Sequence, residues 1–122
     1  MNSLFLCLGA LSAFLGVSMG AFGAHALKNV LSPEMLEVYK TAVSYQMWHA
    51  LGLVAIAFIP SASALVHWAG WLMFAGILLF SGSLYLLTIL NLKWLGMITP
   101  IGGVAFLSAW LLIAIFAVKT QS

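Results

Sequence analysis

The chain alternates long apolar runs with short polar breaks. No Asp, Glu, Lys or Arg interrupts it from Leu4 to Leu27, from Thr41 to Ile59, from Leu65 to Leu90 or from Pro100 to Val118. Each run is close to the ~20 apolar residues that a helix needs to cross a ~30 Å hydrocarbon layer. The breaks KNVLSPEMLEVYK, PSAS and NLKWLGMIT hold every charged side chain except Lys119. The pattern predicts an all-α, polytopic membrane protein, a four-transmembrane-helix bundle forming one domain over residues 1–122.

The first break carries a helix start of its own. Ser32 can cap, Pro33 fits the first helical position, and Glu34 and Glu37 lie near the positive end of the helix dipole. Helix two is therefore expected to begin near Pro33, with a short amphipathic start of two turns at the membrane surface. Thr99 and Pro100 repeat that start for helix four, and Lys28 and Lys93 close helices one and three, a faint parallel repeat. The first run imitates a secretory signal, with AHA at 24–26 in the place of a cleavage site. It has no Lys or Arg before it, exceeds the usual run of about 7–15 residues, and has Lys28 behind it, so it reads as a retained span.

Composition leads to the same solvent. The chain is 65% hydrophobic and 5% charged, against about a quarter charged in a soluble domain. Four lysines, two glutamates and no arginine are too sparse for a nucleic-acid surface or a polybasic lipid patch. The expected partners are membrane lipids and further copies of the chain, with no nucleic acid. Cys7 is the one cysteine, so an intrachain disulfide and a CxxC motif are both excluded. Breaks one and three hold Lys28, Lys40 and Lys93, against Lys119 and the terminal amine on the other side. The positive-inside rule then puts both termini outside the cytoplasm of a bacterial inner membrane. Trp68 and Trp71 near one surface and Trp94 near the other fit an aromatic belt.

Between spans there is no water to drive association, so close backbone approach and polar contacts must hold the bundle together. Gly9, Ala13, Gly16, Gly20 and Ala24 recur at spacings of three and four and form a smooth face on helix one. Gly76 does the same for helix three, and Gly102 and Gly103, with Ala105 and Ala109, for helix four.

One stretch breaks the apolar rule. AVSYQMWHALGL, residues 42–53, places Tyr45, Gln46 and His49 three and four apart, on one face of helix two. His49 lies about ten residues before the end of its run, roughly 15 Å in, near the midplane. Two readings compete there. In one, the three side chains hydrogen-bond to neighbours such as Ser81, Ser83 or Tyr85 and fix the register of the bundle. In the other they line a hydrated cavity or binding site, as intramembrane polar residues often do; a small-molecule or ion transporter would then need an oligomer to enclose its path. Haem is disfavoured because His25, His49 and His67 fall at three different depths. His25 reads as a helix-end residue whose ring can bond freed carbonyls. No cofactor, metal or catalytic residue is expected: the spans contain no carboxylate, and HExxH is absent.

The same residues form linked motifs: GAFGAHALK at 20–28, YKTAVSYQMWHALGL at 39–53, LFSGSLYLLTI at 79–89 and TPIGGVAFLSAW at 99–110. Together they resemble the DUF423 family, also called UPF0382, small bacterial inner-membrane proteins related to the eukaryotic transmembrane protein 256 group. The resemblance covers nearly the whole chain, with Ala109 in place of an expected glycine. It implies a four-helix integral membrane protein with a retained first span, and no particular activity.

Overall fold

A computed structural model describes residues 1–60 and 62–121, apart from the side chain of Gln121. Ser61, in the expected PSAS break, lies outside the described residues. Helix α1 (Ser3–Phe22) runs on into a π-helical turn over Gly23–Leu27. Helix α2 covers Pro33–Ala57. Helix α3 (Ala64–Gly76) passes through a second π-helical turn, Ile77–Ser81, into α4 (Gly82–Ile89). A 3-10 turn over Lys93–Met97 leads into α5 (Thr99–Gln121).

The ends follow from local chemistry. The Asn2 side chain accepts from the Phe5 amide and starts α1. Ser32 accepts from the Met35 amide at 3.2 Å, with Pro33 in the first turn, so α2 begins where its sequence signals put it. It ends at Ala57, two residues short of the expected Ile59, and the Ala57 carbonyl accepts from the Asn2 amide at 2.8 Å. Asn91 takes the left-handed conformation, φ 56°, and stops α4. The third break is not an irregular loop: Leu95 is buried and folds the segment back on itself as the 3-10 turn.

Among the described residues, three helical stretches are long and apolar enough to cross a membrane, Ser3–Leu27, Ala64–Ile89 and Lys93–Thr120. Helix α2 has the length and falls short in apolarity, because Glu34, Glu37 and Lys40 lie in its first turns and Tyr45, Gln46 and His49 in its middle. It is nevertheless the centre of the bundle. It packs on α1 along one side and on α3, the second π turn and α4 along the other. Two apolar cores flank its polar middle. One gathers Phe5, Leu53, Ile56, Met73 and Phe106, and the other Ala42, Leu84, Leu87 and Leu95.

The α1–α2 pair is antiparallel and glycine-seamed. A Cβ at Gly9 would come within 3.0 Å of the Ala50 carbonyl oxygen, one at Gly16 would meet Met47, and one at Gly23 would strike the Tyr39 ring. These glycines are spaced by seven, as are Tyr39, Gln46 and Leu53 across from them, the repeat of a closely paired helix seam. Of the expected stripe, Gly9 and Gly16 lie in this close approach. Ala13 and Gly20 are only half-buried and Ala24 is exposed, because contact follows the seven-residue step to Gly23. On the other side, Gly76 lies under the Phe106 ring, and a Cβ at Gly102 would collide with the backbone of Leu79 and Phe80. Gly103 is not part of that close approach, since its nearest neighbour would be Phe80 Cδ2 at 3.9 Å.

Candidate functional site

Tyr45, Gln46 and His49 share a helix face by spacing, and the structure divides them between two neighbours. Gln46, 4% exposed, turns toward α1 and α4. Its Nε2 donates to the Ser12 carbonyl at 2.8 Å, and its Oε1 accepts from the Tyr85 hydroxyl at 2.5 Å. One amide thereby ties three helices. The Tyr85 ring meets the Tyr39 ring at a tilt, centroids 5.4 Å apart and planes at 57°, and the Tyr39 hydroxyl donates to the Met19 carbonyl.

His49 and Tyr45 turn the other way, toward α5. The His49 ring lies parallel to Phe106, centroids 3.5 Å apart and planes within 10°, with Trp110 at 5.8 Å. Tyr45 stacks on Phe80 at 4.5 Å. Nδ1 of His49 sits 2.7 Å from the Tyr45 carbonyl oxygen one turn back. A carbonyl can only accept, so Nδ1 carries the hydrogen and Nε2 of the neutral ring is left as an acceptor.

The serines that sequence spacing offered as partners go elsewhere. Ser81, fully buried, donates to the Ala42 carbonyl at 2.7 Å. Ser83 pairs with Thr99 at 2.6 Å, each with a backbone carbonyl of its own helical segment in reach. Thr99 therefore opens α5 as expected but spends its hydroxyl on α4 instead of capping, with Pro100 exposed beside it. His25 is exposed at the end of the first helical stretch, in the π turn, and makes no hydrogen bond among the described residues. His67 lies at the opposite end against Phe5 and Trp71, at 6.2 and 6.4 Å. Cys7 is exposed on the apolar surface.

Sequence spacing missed Ser12, Tyr39 and Phe106, and put Ala42 on the face of the cluster without giving it a bond. Ser12 has a signal in retrospect: it lies three residues after Gly9 and four before Gly16, on the seam itself. Ala42 contributes only a carbonyl, which no side-chain pattern reveals.

Two grooves border the seam. One, of about 400 Å³, lies between α1 and α3–α4, lined by Leu11, Leu15, Leu78 and other apolar side chains, with Gln46 and Tyr85 also lining it. The other, of about 380 Å³, lies between α2 and α5 and includes Tyr45, His49, Phe80, Gly103 and Trp110. Both open among exposed apolar side chains such as Leu11, Leu78, Val104 and Leu107. Among the described residues no three of His, Cys, Asp and Glu come together as metal ligands would.

An all-helical bundle with three membrane-length apolar helices and its polar groups folded inward is the architecture of an integral membrane protein. The chain belongs to the DUF423 family: the model of that family, described as "Protein of unknown function (DUF423)", matches residues 19–103. It is 52% identical over 118 residues to the UPF0382 membrane protein YwdK of Bacillus subtilis, covering 94% of this chain and 96% of that one. A UPF0382 membrane protein of Staphylococcus saprophyticus is 50% identical over 116 residues, covering 94% and 97%. Another, from Staphylococcus aureus strain USA300, is 50% identical over 117 residues, covering 95% and 96%. No solved structure matches the chain.

Proposed function

We propose that the chain is a non-catalytic, four-span protein of the bacterial plasma membrane that works by lateral binding of lipid-soluble molecules, lipids or neighbouring proteins. The observation that carries this reading is the Gln46 bond pair. With Nε2 on Ser12 and Oε1 on Tyr85, the centre of the bundle is closed by protein, and the neighbouring hollows open toward the apolar flanks. A path through the protomer would need those groups free to face water.

The fourth span is α2. Its 25 residues reach about 37 Å at 1.5 Å per residue, and its polar middle is shielded by α1, α4 and α5. The side it leaves uncovered carries Trp48 and Leu51, 57% and 58% exposed, as a lipid-facing surface would. Four spans put both termini on one side, and Lys28, Lys40 and Lys93 gather at the opposite end, which the positive-inside rule makes cytoplasmic. Alkaline phosphatase fused after Ser122 is expected to be active, and the same reporter inserted at Asn29 inactive. Termini on opposite sides of the membrane would overturn the four-span reading.

A further inference from the structure

His49 is 5% exposed. Every fully buried side-chain nitrogen and oxygen among the described residues has a partner, and Nε2 of His49 has none. Its small residual exposure therefore includes Nε2, and the hollow the ring borders is the α2–α5 groove. The Tyr45 hydroxyl, on the same groove, likewise forms no hydrogen bond among the described residues. With Nδ1 donating to the Tyr45 carbonyl, the neutral ring presents Nε2 as an acceptor from an otherwise buried residue, and that acceptor asks for a hydrogen-bond donor.

Three further features narrow the donor's carrier. The groove is walled by flat rings, Tyr45, Phe80, Phe106 and Trp110, which favour a planar guest in offset stacking. Its volume of about 380 Å³ falls within the roughly 300–1,000 Å³ of small-molecule sites. His49 lies eight residues inside the end of α2 at Ala57, about 12 Å along the axis. A lipid acyl chain reaches that depth with methylene groups only, which offer no donor. We propose that the α2–α5 groove binds a quinol, a membrane-soluble ring whose hydroxyl donates to Nε2 of His49 while its face lies against the aromatic wall. The proposal is one of binding and includes no electron transfer. The depth argument rests on α2 being a span, which the reporter fusions decide separately from any binding.

The test uses the full chain in nanodiscs of phosphatidylethanolamine and phosphatidylglycerol, kept anaerobic. Duroquinol and its dimethyl ether, which keeps the ring and loses both donors, are titrated by quenching of tryptophan fluorescence and by calorimetry, against empty nanodiscs. Duroquinol is expected to saturate and the ether to bind about five- to tenfold more weakly, the effect of one lost hydrogen bond to a buried acceptor. His49→Leu should erase that difference. Gly103→Leu, whose Cβ has room at 3.9 Å from Phe80, should fill the groove and weaken both ligands while the melting temperature holds. Equal affinity for quinol and ether, as an acyl-chain groove would give, overturns the proposal. So does partitioning no greater than into empty nanodiscs, or unchanged binding by Gly103→Leu. These comparisons decide even if His49→Leu fails to fold. Loss of quinol binding with both termini on one side removes the ligand alone, whereas termini on opposite sides remove the span.

Discussion

Gln46 and His49 stand three residues apart on one helix, equally buried, and their polar atoms meet opposite fates. Gln46 is saturated: donor and acceptor each reach another helix. His49 bonds only its own helix, and its outward nitrogen faces a groove. The difference comes from what each faces. The α1 seam brings a backbone carbonyl close through Gly9 and Gly16, and α4 brings a hydroxyl, whereas α5 presents Phe106, which has no donor, and Trp110, whose indole N–H forms no bond to His49. A polar residue in an apolar bundle thus serves architecture where the neighbour is polar and close. It becomes a candidate site where the neighbour is flat and apolar.

The largest expected effect comes from removing the platform of the His49 side. Gly102→Val places a branched side chain against the backbone of Leu79 and Phe80, which cannot rotate out of the way. Overpacking of this kind costs about 3 kcal/mol. The measurement is the melting temperature in mild detergent by size-exclusion fluorescence, and loss of the monodisperse peak is an acceptable extreme. Near-wild-type melting would mean that α5 is not seated on the second π turn.

Next comes the Gln46 side. Gln46→Leu strands the Tyr85 hydroxyl and removes two interhelical bonds at once, a loss of about 2 kcal/mol. Tyr85→Phe removes one of them and should cost about 1 kcal/mol, and the double variant should cost little more than Gln46→Leu alone. Additive losses would break the comparison, because the two groups would then be acting on different neighbours.

How much of this the sequence revealed differs between the two sides. Helix starts at Ser32–Pro33 and Thr99, three membrane-length apolar helices among the described residues and the inward placement of Gln46 and His49 all follow from side-chain chemistry that spacing displays. The split between them does not, because Tyr45, Gln46 and His49 occupy one arc of an ideal helix, and which neighbour lies over each edge depends on tertiary packing. The π turn at Ile77–Ser81 adds a residue to α3; Gly76 before it and Ser81–Gly82–Ser83 at its end weaken the helix there, but nothing in that spacing says that one residue is inserted. It turns Ser81 toward the Ala42 carbonyl and Ser83 toward Thr99. The apolarity rule also ranks α2 last among the helices, since it counts Tyr45, Gln46 and His49 as a cost and cannot see the two partners that Gln46 finds on neighbouring helices.

The smallest effect belongs to Ser83 and Thr99, whose hydroxyls meet at 2.6 Å across the α4–α5 contact. Short as that bond is, each partner has a local alternative: the Phe80 carbonyl lies 2.9 Å from Ser83 Oγ, and the Leu95 carbonyl 3.4 Å from Thr99 Oγ1. When Ser83→Ala removes one hydroxyl, the other keeps an acceptor and no buried donor is stranded. The expected loss is about 0.6 kcal/mol, the ordinary worth of an interhelical hydrogen bond in a membrane protein. Thr99→Val should match it, and the pair together should cost no more than either alone. A loss as large as that of Gln46→Leu would show that local carbonyls do not substitute for an interhelical partner. The saturated state of Gln46 would then cease to be what separates it from the other polar groups of the bundle.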